Sequence, residues 1–436
     1  GGTCVKGKKL AAFILVFLLA FIPLLACSND EKASGDGKNG NKIELEFWTI
    51  NLKKNFNDYI QGMIRDYEKA NPNVKIKWVD VPGADASKKF LTSLQSKKVP
   101  DVVNLASSDI SMIQQYNVLS PINKLVSKDE LNAYIPGLID SLTFQDELQG
   151  LPWYYGGPPI GTINTEIYKK AGLDADNPPK TWEESLKNGK LIHEKLPKVY
   201  GSNDLPGIEV FVSQGLPILN DDHTKAVFNS DEHVKFVQMF VDGYKNGAIA
   251  PGAVTKDDRQ LQQTYENKQQ AQAGQSVAAA LLNLEKNAPN EITKIKVTKP
   301  VTGGDGTIAV KAIQTFVVPK KSEHPKEAAK FALFVTNAKN QLDFAKIVPI
   351  FPSTTETLED PFFKESKGKT IHDEARKIMV ETAPHLKVNI LGIKDEEKLR
   401  DYYTEQIRAA MMGELSAKEA LDKSVDYWNQ ALKNQK

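Results

Sequence analysis

Between Ile43 and Leu105 the apolar residues switch period repeatedly, and that pattern leaves few folds open. Ile43, Leu45 and Phe47 alternate with Glu44 and Glu46, the two-residue period of a strand ending at Trp48-Thr49. Phe56, Ile60, Met63, Ile64 and Tyr67 then recur at helical spacing until Asn71-Pro72 stops the helix. Val74, Ile76 and Trp78 restart a strand that closes at Val81-Pro82. Phe90, Leu91 and Leu94 predict a second helix, and Asp101-Val102-Val103-Asn104-Leu105 a third strand. A βαβαβ order implies parallel strands with right-handed crossovers, hence an α/β fold. Ligands of open parallel sheets sit beyond the carboxyl ends of the strands. Those ends are Trp48 to Asn51, Pro82 to Ala84 and Ala106 to Asp109, which are expected to rim one cleft. Trp48 also reads as a buried strand-end aromatic, and Asn51 and Asp109 also read as helix N-caps.

Ahead of this unit, Lys6, Lys8 and Lys9 precede an unbroken apolar run from Leu10 to Ala26. A basic start followed by an apolar run is the pattern of a secretory signal. The run just reaches the lower length limit of a spanning helix, so a plain membrane anchor is the competing reading. Leu24-Leu25-Ala26-Cys27 closes it with a thiol after a small residue, a sequence that resembles the bacterial lipobox. The resemblance implies that residues 1–26 are a signal peptide and that Cys27 carries a lipid. Residues 28–41 hold no apolar side chain larger than Ala33 and are expected to act as a flexible tether with ends roughly 20 Å apart. The only other cysteine, Cys4, falls in the leader, which leaves no thiol for a disulfide, a nucleophile or a zinc site. Lysine plus arginine number 56 against 55 acids, a balance that provides no footprint for nucleic acid. A body of this length buries a core without disulfides and divides into about two domains.

Past Gly150 the texture changes. Trp153, Tyr154 and Tyr155 are packed between Pro152 and Gly156-Gly157-Pro158-Pro159, as suits a chain crossing between lobes with its aromatics facing the gap. A rigid core loop is the alternative. Thr181 with Glu184, and Ser416 with Glu419, form capping-box pairs that open helices. Phe236, Phe240 and Tyr244 step by four and read as core. Val297 to Ile313 reads as strand–turn–strand around Gly303-Gly304-Asp305-Gly306, and Pro325 to Ala345 as one helix. Leu421, Val425, Trp428 and Leu432 make a single apolar stripe near the end.

Catalytic signatures are thin. Six histidines show no HExxH spacing and read as isolated surface residues. Gly274-Gln275-Ser276-Val277-Ala278 lacks the closing glycine of a nucleophile elbow. Lys367-Gly368-Lys369-Thr370 ends like a phosphate loop, but Phe363 stands where the first glycine belongs. Asp221 to Glu232 has the length of a calcium loop, but Ala226 replaces its required glycine. No cofactor or metal is implied, and no pair of carboxylates stands out as glycosidic.

Taken in order, several short stretches resemble the extracellular solute-binding proteins of ABC importers, in their sugar-binding branch. They are the lipobox, Leu45-Glu46-Phe47-Trp48, Tyr67 to Pro72, Val99 to Val103, Gly150-Leu151-Pro152, Asn164 to Leu173 and Pro178 to Glu184. Ala328 to Phe334, Gln341, Pro349 to Pro352, Gly413 to Leu421 and Trp428-Asn429 continue the series. The chain departs from the family at Gln275-Ser276-Val277, where an aromatic is common, at Ile163 before Asn164, and at Asn117. The resemblance implies a two-lobed periplasmic-binding-protein-like fold with a hinge crossed three times. Residues 43–155 and 299–365 would form one lobe, and 156–298 with 366–436 the other. It also implies ligand contacts at Trp48, Asn51 and Asp109, at Trp153, Tyr154 and Tyr155, and at Asp204 and Gln275.

The function this implies is capture of a carbohydrate, an oligosaccharide, and its delivery to ABC permease subunits by a monomer held to the outer face of the cell membrane by its lipid. Aromatic faces suit the C–H surface of a sugar, and Asn, Asp and Gln suit its hydroxyls. A secreted glycosidase is the alternative of another class. A polyamine, a metal or a phosphate ester is the alternative ligand, the last needing an Arg or Lys fork. The anchor yields the first prediction: Cys27→Ala should abolish lipid attachment and release or stall the protein. Unchanged membrane association and unchanged mass of the variant would refute it.

Overall fold

The computed structural model describes residues 42–257, 263–365 and 370–434. The leader, Cys27, the tether and Lys367 to Lys369 lie outside the described residues. Strands are numbered in chain order. β1 (Ile43–Ile50), β2 (Val74–Val81) and β3 (Val102–Ala106) are the three expected from residue alternation. β1 pairs in parallel with both others, Phe47 standing beside Trp78 on one side and Val102 on the other. The helices between them, Lys53–Ala70 and Ala86–Ser93, turn Ile60, Met63, Ile64, Tyr67 and Phe90 into the core. A short hairpin of β4 (Thr143–Phe144) and β5 (Glu147–Leu148) follows, then β6 (Leu151–Pro152) and β7 (Tyr154–Tyr155).

The first sheet is finished by a strand from far along the chain. β12 (Gln314–Val317) lies antiparallel between β3 and β6, giving the order β2-β1-β3-β12-β6. A second sheet of β8 (Ile160–Asn164), β9 (Gln272–Ser276) and β10 (Ile295–Thr298) is antiparallel, with β8 in the middle. β11 (Ile308–Val310) pairs in parallel with β14 (Leu386–Val388), and β13 (Phe351–Pro352) pairs with β7. The strand–turn–strand expected between Val297 and Ile313 therefore has its two strands, but each joins a different sheet.

One core runs along the first sheet, from Leu45 to Val388. Another gathers Trp182, Phe211, Phe228, Phe240, Tyr403 and Trp428, and a small third one packs Ile163, Tyr168 and Ile192. From β7 the chain passes through Gly156 to Pro159 into the second sheet, comes back between β10 and β12, and goes from Val388 in the first core to Leu391 in the second; Ile160, Leu281 and Val297 of that excursion still pack in the first core. Gly157 takes φ +90° at the first passage, where a Cβ would come within 2.8 Å of Met379 Sδ. The helix expected from Pro325 to Ala345 is two, Pro325–Val335 and Ala338–Ile347. Asn337 breaks it: its side chain accepts the Asn340 N–H at 2.8 Å and so starts a new helix. The stripe of Leu421, Val425, Trp428 and Leu432 is buried as expected, behind a full capping box at Ser416 and Glu419. At Thr181 the box is displaced, Glu184 reaching the Lys180 N–H instead. His233 is a correction to the surface reading. It is 1% exposed, hydrogen-bonded to the Pro217 carbonyl at 2.9 Å and to Ser230, and burial lowers its pKa. No helix of the described residues is long and apolar enough to cross a membrane.

A buried polar knot fastens the first passage to the sheet. Gln341 donates to Thr336 O at 2.7 Å and to Ser353 Oγ at 2.8 Å, and accepts the Ser353 N–H at 2.7 Å. Ser353 Oγ in turn donates to Pro152 O at 2.8 Å. Gln341→Leu strands these groups away from water, so it should lower unfolding stability by about 1–3 kcal/mol. An unchanged urea midpoint would show that the knot is dispensable.

Candidate functional site

At the carboxyl ends of β1, β2 and β3 the loops do converge. Asn51 leaves β1 with φ 53° and is exposed, and its side chain does not cap the following helix. Gly83 lies against it, an added Cβ there falling 2.9 Å from Asn51 Nδ2. Asp109 stands in the first turn of helix Ser107–Ile113 and is half-buried. Its carboxylate accepts from the Ser87 hydroxyl and the Ala106 N–H, while burial pushes its pKa up. Trp48 sits two residues inside the end of β1. It is 9% exposed, and its indole N–H donates back to Glu46 Oε1 at 2.8 Å.

The residue that sets this edge is Asp80, which sequence reasoning passed over. Its Oδ1 accepts from Thr49 Oγ1 at 2.7 Å and from the Leu52 N–H at 3.0 Å, and its Oδ2 accepts the Lys53 N–H at 3.0 Å. One carboxylate thus ties the end of β2 to the end of β1 and to the amino end of helix Lys53–Ala70, where free N–H groups favour an anion. An acid second from the end of an otherwise alternating strand, just before Pro82, was the available signal.

The crossing aromatics divide. Trp153 is fully buried, ringed by Tyr154, Phe316 and Phe344 at centroid distances of 4.7, 4.5 and 5.8 Å. In this conformation it offers no face to a ligand. Tyr155 is 5% exposed, packs edge-on against Phe351, and is pushed up in pKa by burial. Tyr154 is half-buried, its hydroxyl pushed up to about 12 for the same reason.

On the second sheet the site residues again meet through backbone. The Asp204 carboxylate accepts the Gly274 N–H at 2.7 Å and the Gln275 N–H at 3.5 Å, and burial raises its pKa. Gly274 is needed for this approach, since a Cβ would come within 2.7 Å of the Trp182 ring. Gln275 Nε2 donates to Val301 O at 2.8 Å, fixing β9 to the returning passage. Among the described residues no hydrogen bond joins Asn51, Gly83 and Asp109 to Asp204 and Gln275. Beside the first passage opens a cavity of about 380 Å³, with an apolar wall of Ala278, Leu282, Ile350, Phe351 and Met379 and with Lys346, His372 and Arg376 also lining it. Val277 and Ile347 stand exposed near it, 64% and 55% respectively. This apolar wall was not singled out from sequence, although Pro349 to Pro352 belongs to the stretches that carry the family resemblance. Among the described residues no three His, Cys, Asp or Glu groups are placed to hold a metal.

Two sheets flanked by helices, three clusters of buried side chains and polar groups at strand ends fit the two-lobed α/β fold of periplasmic binding proteins. A model of the bacterial extracellular solute-binding protein family matches residues 53–342, and the chain belongs to that family. A glycerol-3-phosphate-binding periplasmic protein of Rhizobium meliloti is 23% identical over 89% of this chain and 94% of its own length. The multiple sugar-binding protein of Streptococcus mutans is 24% identical over 76% of this chain and 79% of its own. A putative oligosaccharide periplasmic-binding protein of a Synechococcus species superposes with a TM-score of 0.74, at 26% identity, over 90% of this chain and 99% of that one. These relatives are binding proteins of transport systems rather than enzymes, and the family is extracellular or periplasmic.

The strand-end geometry is testable through Asp80. Asp80→Ala frees the Leu52 and Lys53 N–H groups and should cost about 2 kcal/mol of stability, the range for hydrogen bonds to a charged group. The loss should show in chemical denaturation, with Asp80→Asn recovering part of it. Equal stability of all three proteins would mean that the β1 end is held by other contacts.

Proposed function

We propose that this protein captures a carbohydrate, an oligosaccharide, between its two lobes and hands it to an ABC permease, and that it does not catalyse a reaction. The observation that carries the reading is the chemistry of the two strand-end groups. Asn51 and Asp109 on one sheet, and Asp204 and Gln275 on the other, provide amide and carboxylate partners suited to hydroxyls. Tyr154 and the apolar wall of Val277, Leu282 and Ile347 provide surface for the C–H faces of sugar rings. No arginine or lysine stands among Asn51, Asp109, Asp204 and Gln275, which favours hydroxyls over a phosphate ester at those groups, although Arg376, Lys346 and His372 line the neighbouring cavity. Sugar binding in the Streptococcus relative and in the name of the Synechococcus structure supports the same choice.

The lobes assigned are 43–155 with 299–365, and 156–298 with 366–436. Helix Ile371–Thr382 and β14 pack on the first core at the seam between them. Ligand touching both lobes favours closure because only the closed state offers both sets of contacts. Cys27 anchors the chain outside the cell membrane, and the protein works as a monomer. Trp153, buried here, acts from behind by holding Tyr154 in place.

Calorimetric titration of the unlipidated chain against an oligosaccharide panel tests this, with solution scattering on the same samples. A cognate sugar should bind, shrink the radius of gyration, and at a hundredfold excess over Kd stabilise the fold by about 2.7 kcal/mol. Binding of glycerol 3-phosphate with silence from every saccharide would overturn the sugar assignment. Turnover of chromogenic glycosides would overturn the transport reading.

A further inference from the structure

We propose that the pole of the first lobe where the chain enters the folded body is a docking surface for an anionic lipid membrane. The parallel strands carry the candidate site at their carboxyl ends, so their amino ends lie at the opposite edge of the sheet. At that edge two loops each bear adjacent lysines: Lys97-Lys98 before β3, and Lys320-Lys321 after β12. The loops are held together, Lys321 Nζ donating to Leu94 O at 2.6 Å and the Lys320 N–H to Val118 O at 2.8 Å. Lys42, the first described residue, lines the same hollow as Lys97, Lys98 and Lys321. The adjoining hollow, about 530 Å³, is apolar, with Leu91 and Leu94 in its wall and Tyr116 standing 57% exposed at its rim.

The countercharges here do not cancel the lysines. Glu44 pairs with Lys98 at 2.9 Å. Asp101 is 4% exposed and turned inward, accepting from Ser322 Oγ at 2.6 Å and the Glu46 N–H at 2.8 Å. Glu323 is exposed, and His324 is half-buried. Five exposed lysines thus face two exposed acids, one of them already paired with Lys98, and the half-buried Glu147, which pairs with Lys124 and also feels the charge of Lys320.

Three arguments name the occupant. Phosphate headgroups complement clustered lysines, each adding attraction near an anionic surface. An exposed tyrosine beside such a cluster has the amphipathic ring that settles at headgroup level. Finally, residues 28–41 separate Cys27 from Lys42, so fully extended they span at most about 50 Å. A lipid on Cys27 would keep Lys42, where the chain enters the body at this pole, within that distance of a bilayer. Only that last argument rests on the lipid reading, and the test is built without the lipid.

The chain from Ser28 to Lys436, unlipidated, is sedimented with vesicles of phosphatidylcholine alone or with a third phosphatidylglycerol. All three cores are built from residues after Lys42, so this chain folds without its leader. It should bind the anionic vesicles and release from them as salt rises. Lys42→Glu, Lys97→Glu and Lys320→Glu together should weaken partitioning by well over tenfold, at about fivefold per lysine. Lys235→Glu with Lys245→Glu, on helix Asp231–Lys245 of the second core, should change it little. Melting temperatures of both variants verify that they fold. Equal binding to the two vesicle types, or equal loss in both variants, overturns the proposal. Capture by soluble polyphosphate without vesicle binding also overturns it, in favour of an anionic polymer. Vesicle binding by this chain supports it even if Cys27 proves to carry no lipid, so the two readings fail separately.

Discussion

The architecture depends on β12 reaching the gap between β3 and β6. Without it β3 would end the sheet with an open edge of unpaired N–H and C=O groups, and β6 would have no partner in that sheet. Thr315 pairs with Leu105 on one side and Pro152 on the other, and its hydroxyl donates to Leu105 O at 2.7 Å. A chain that must complete its first sheet with residues beyond 310 has to leave and come back. Everything between, the second sheet included, is an excursion whose ends are pinned on the same sheet. The two passages between the sheets follow from that one strand insertion.

Around those passages, carboxylates serve as fasteners before they serve as anything else. Asp80 holds three donors at the end of β1, Asp204 holds two backbone N–H groups of β9, and Asp101 braces the amino end of the first sheet. Burial disfavours the charge on Asp204 and Asp101, and their hydrogen bonds offset part of that penalty. Among the groups left facing outward, Asn51 at the end of β1 and Val277 after β9 are exposed and Gln275 is half-buried, with Lys53 and Asp85 exposed beside the first of them.

Much of this was legible in the residue order. The period of two in Ile43 to Phe47 and Val74 to Trp78 reports burial of one face, and both strands lie where the alternation put them. The stripe ending at Leu432 worked for the same reason at helical spacing. Periodicity carries no information about partners, however. It found strands near Val297 and Ile308 but could not tell that one joins β8 and the other β14. It ran one helix through Asn337 because the apolar spacing continues past the cap. Trp153 shows the limit for the candidate site. Its setting among helix breakers suggested a passage, but whether a ring faces solvent or Phe316 and Phe344 is decided by β12 and helix Ala338–Ile347, each more than 150 residues away in sequence. Asp80 was missed because a fastening carboxylate looks like any surface acid until its donors are in place.

The last helix gives the second core its lid. Ala417–Lys433 sets Trp428 edge-on against Phe228 at 5.0 Å, its indole N–H donating to Leu399 O at 2.9 Å. Phe228 and Tyr403, also in that core, are 0% and 1% exposed. During synthesis, then, the second core stays open until this helix has emerged, while the first waits for Leu386 and Val388. Contacts of such long sequence separation are slow to form, because the loops they close must be ordered first. A nascent chain of this kind spends its early life without a finished core, and the second core closes only once Trp428 has met Phe228.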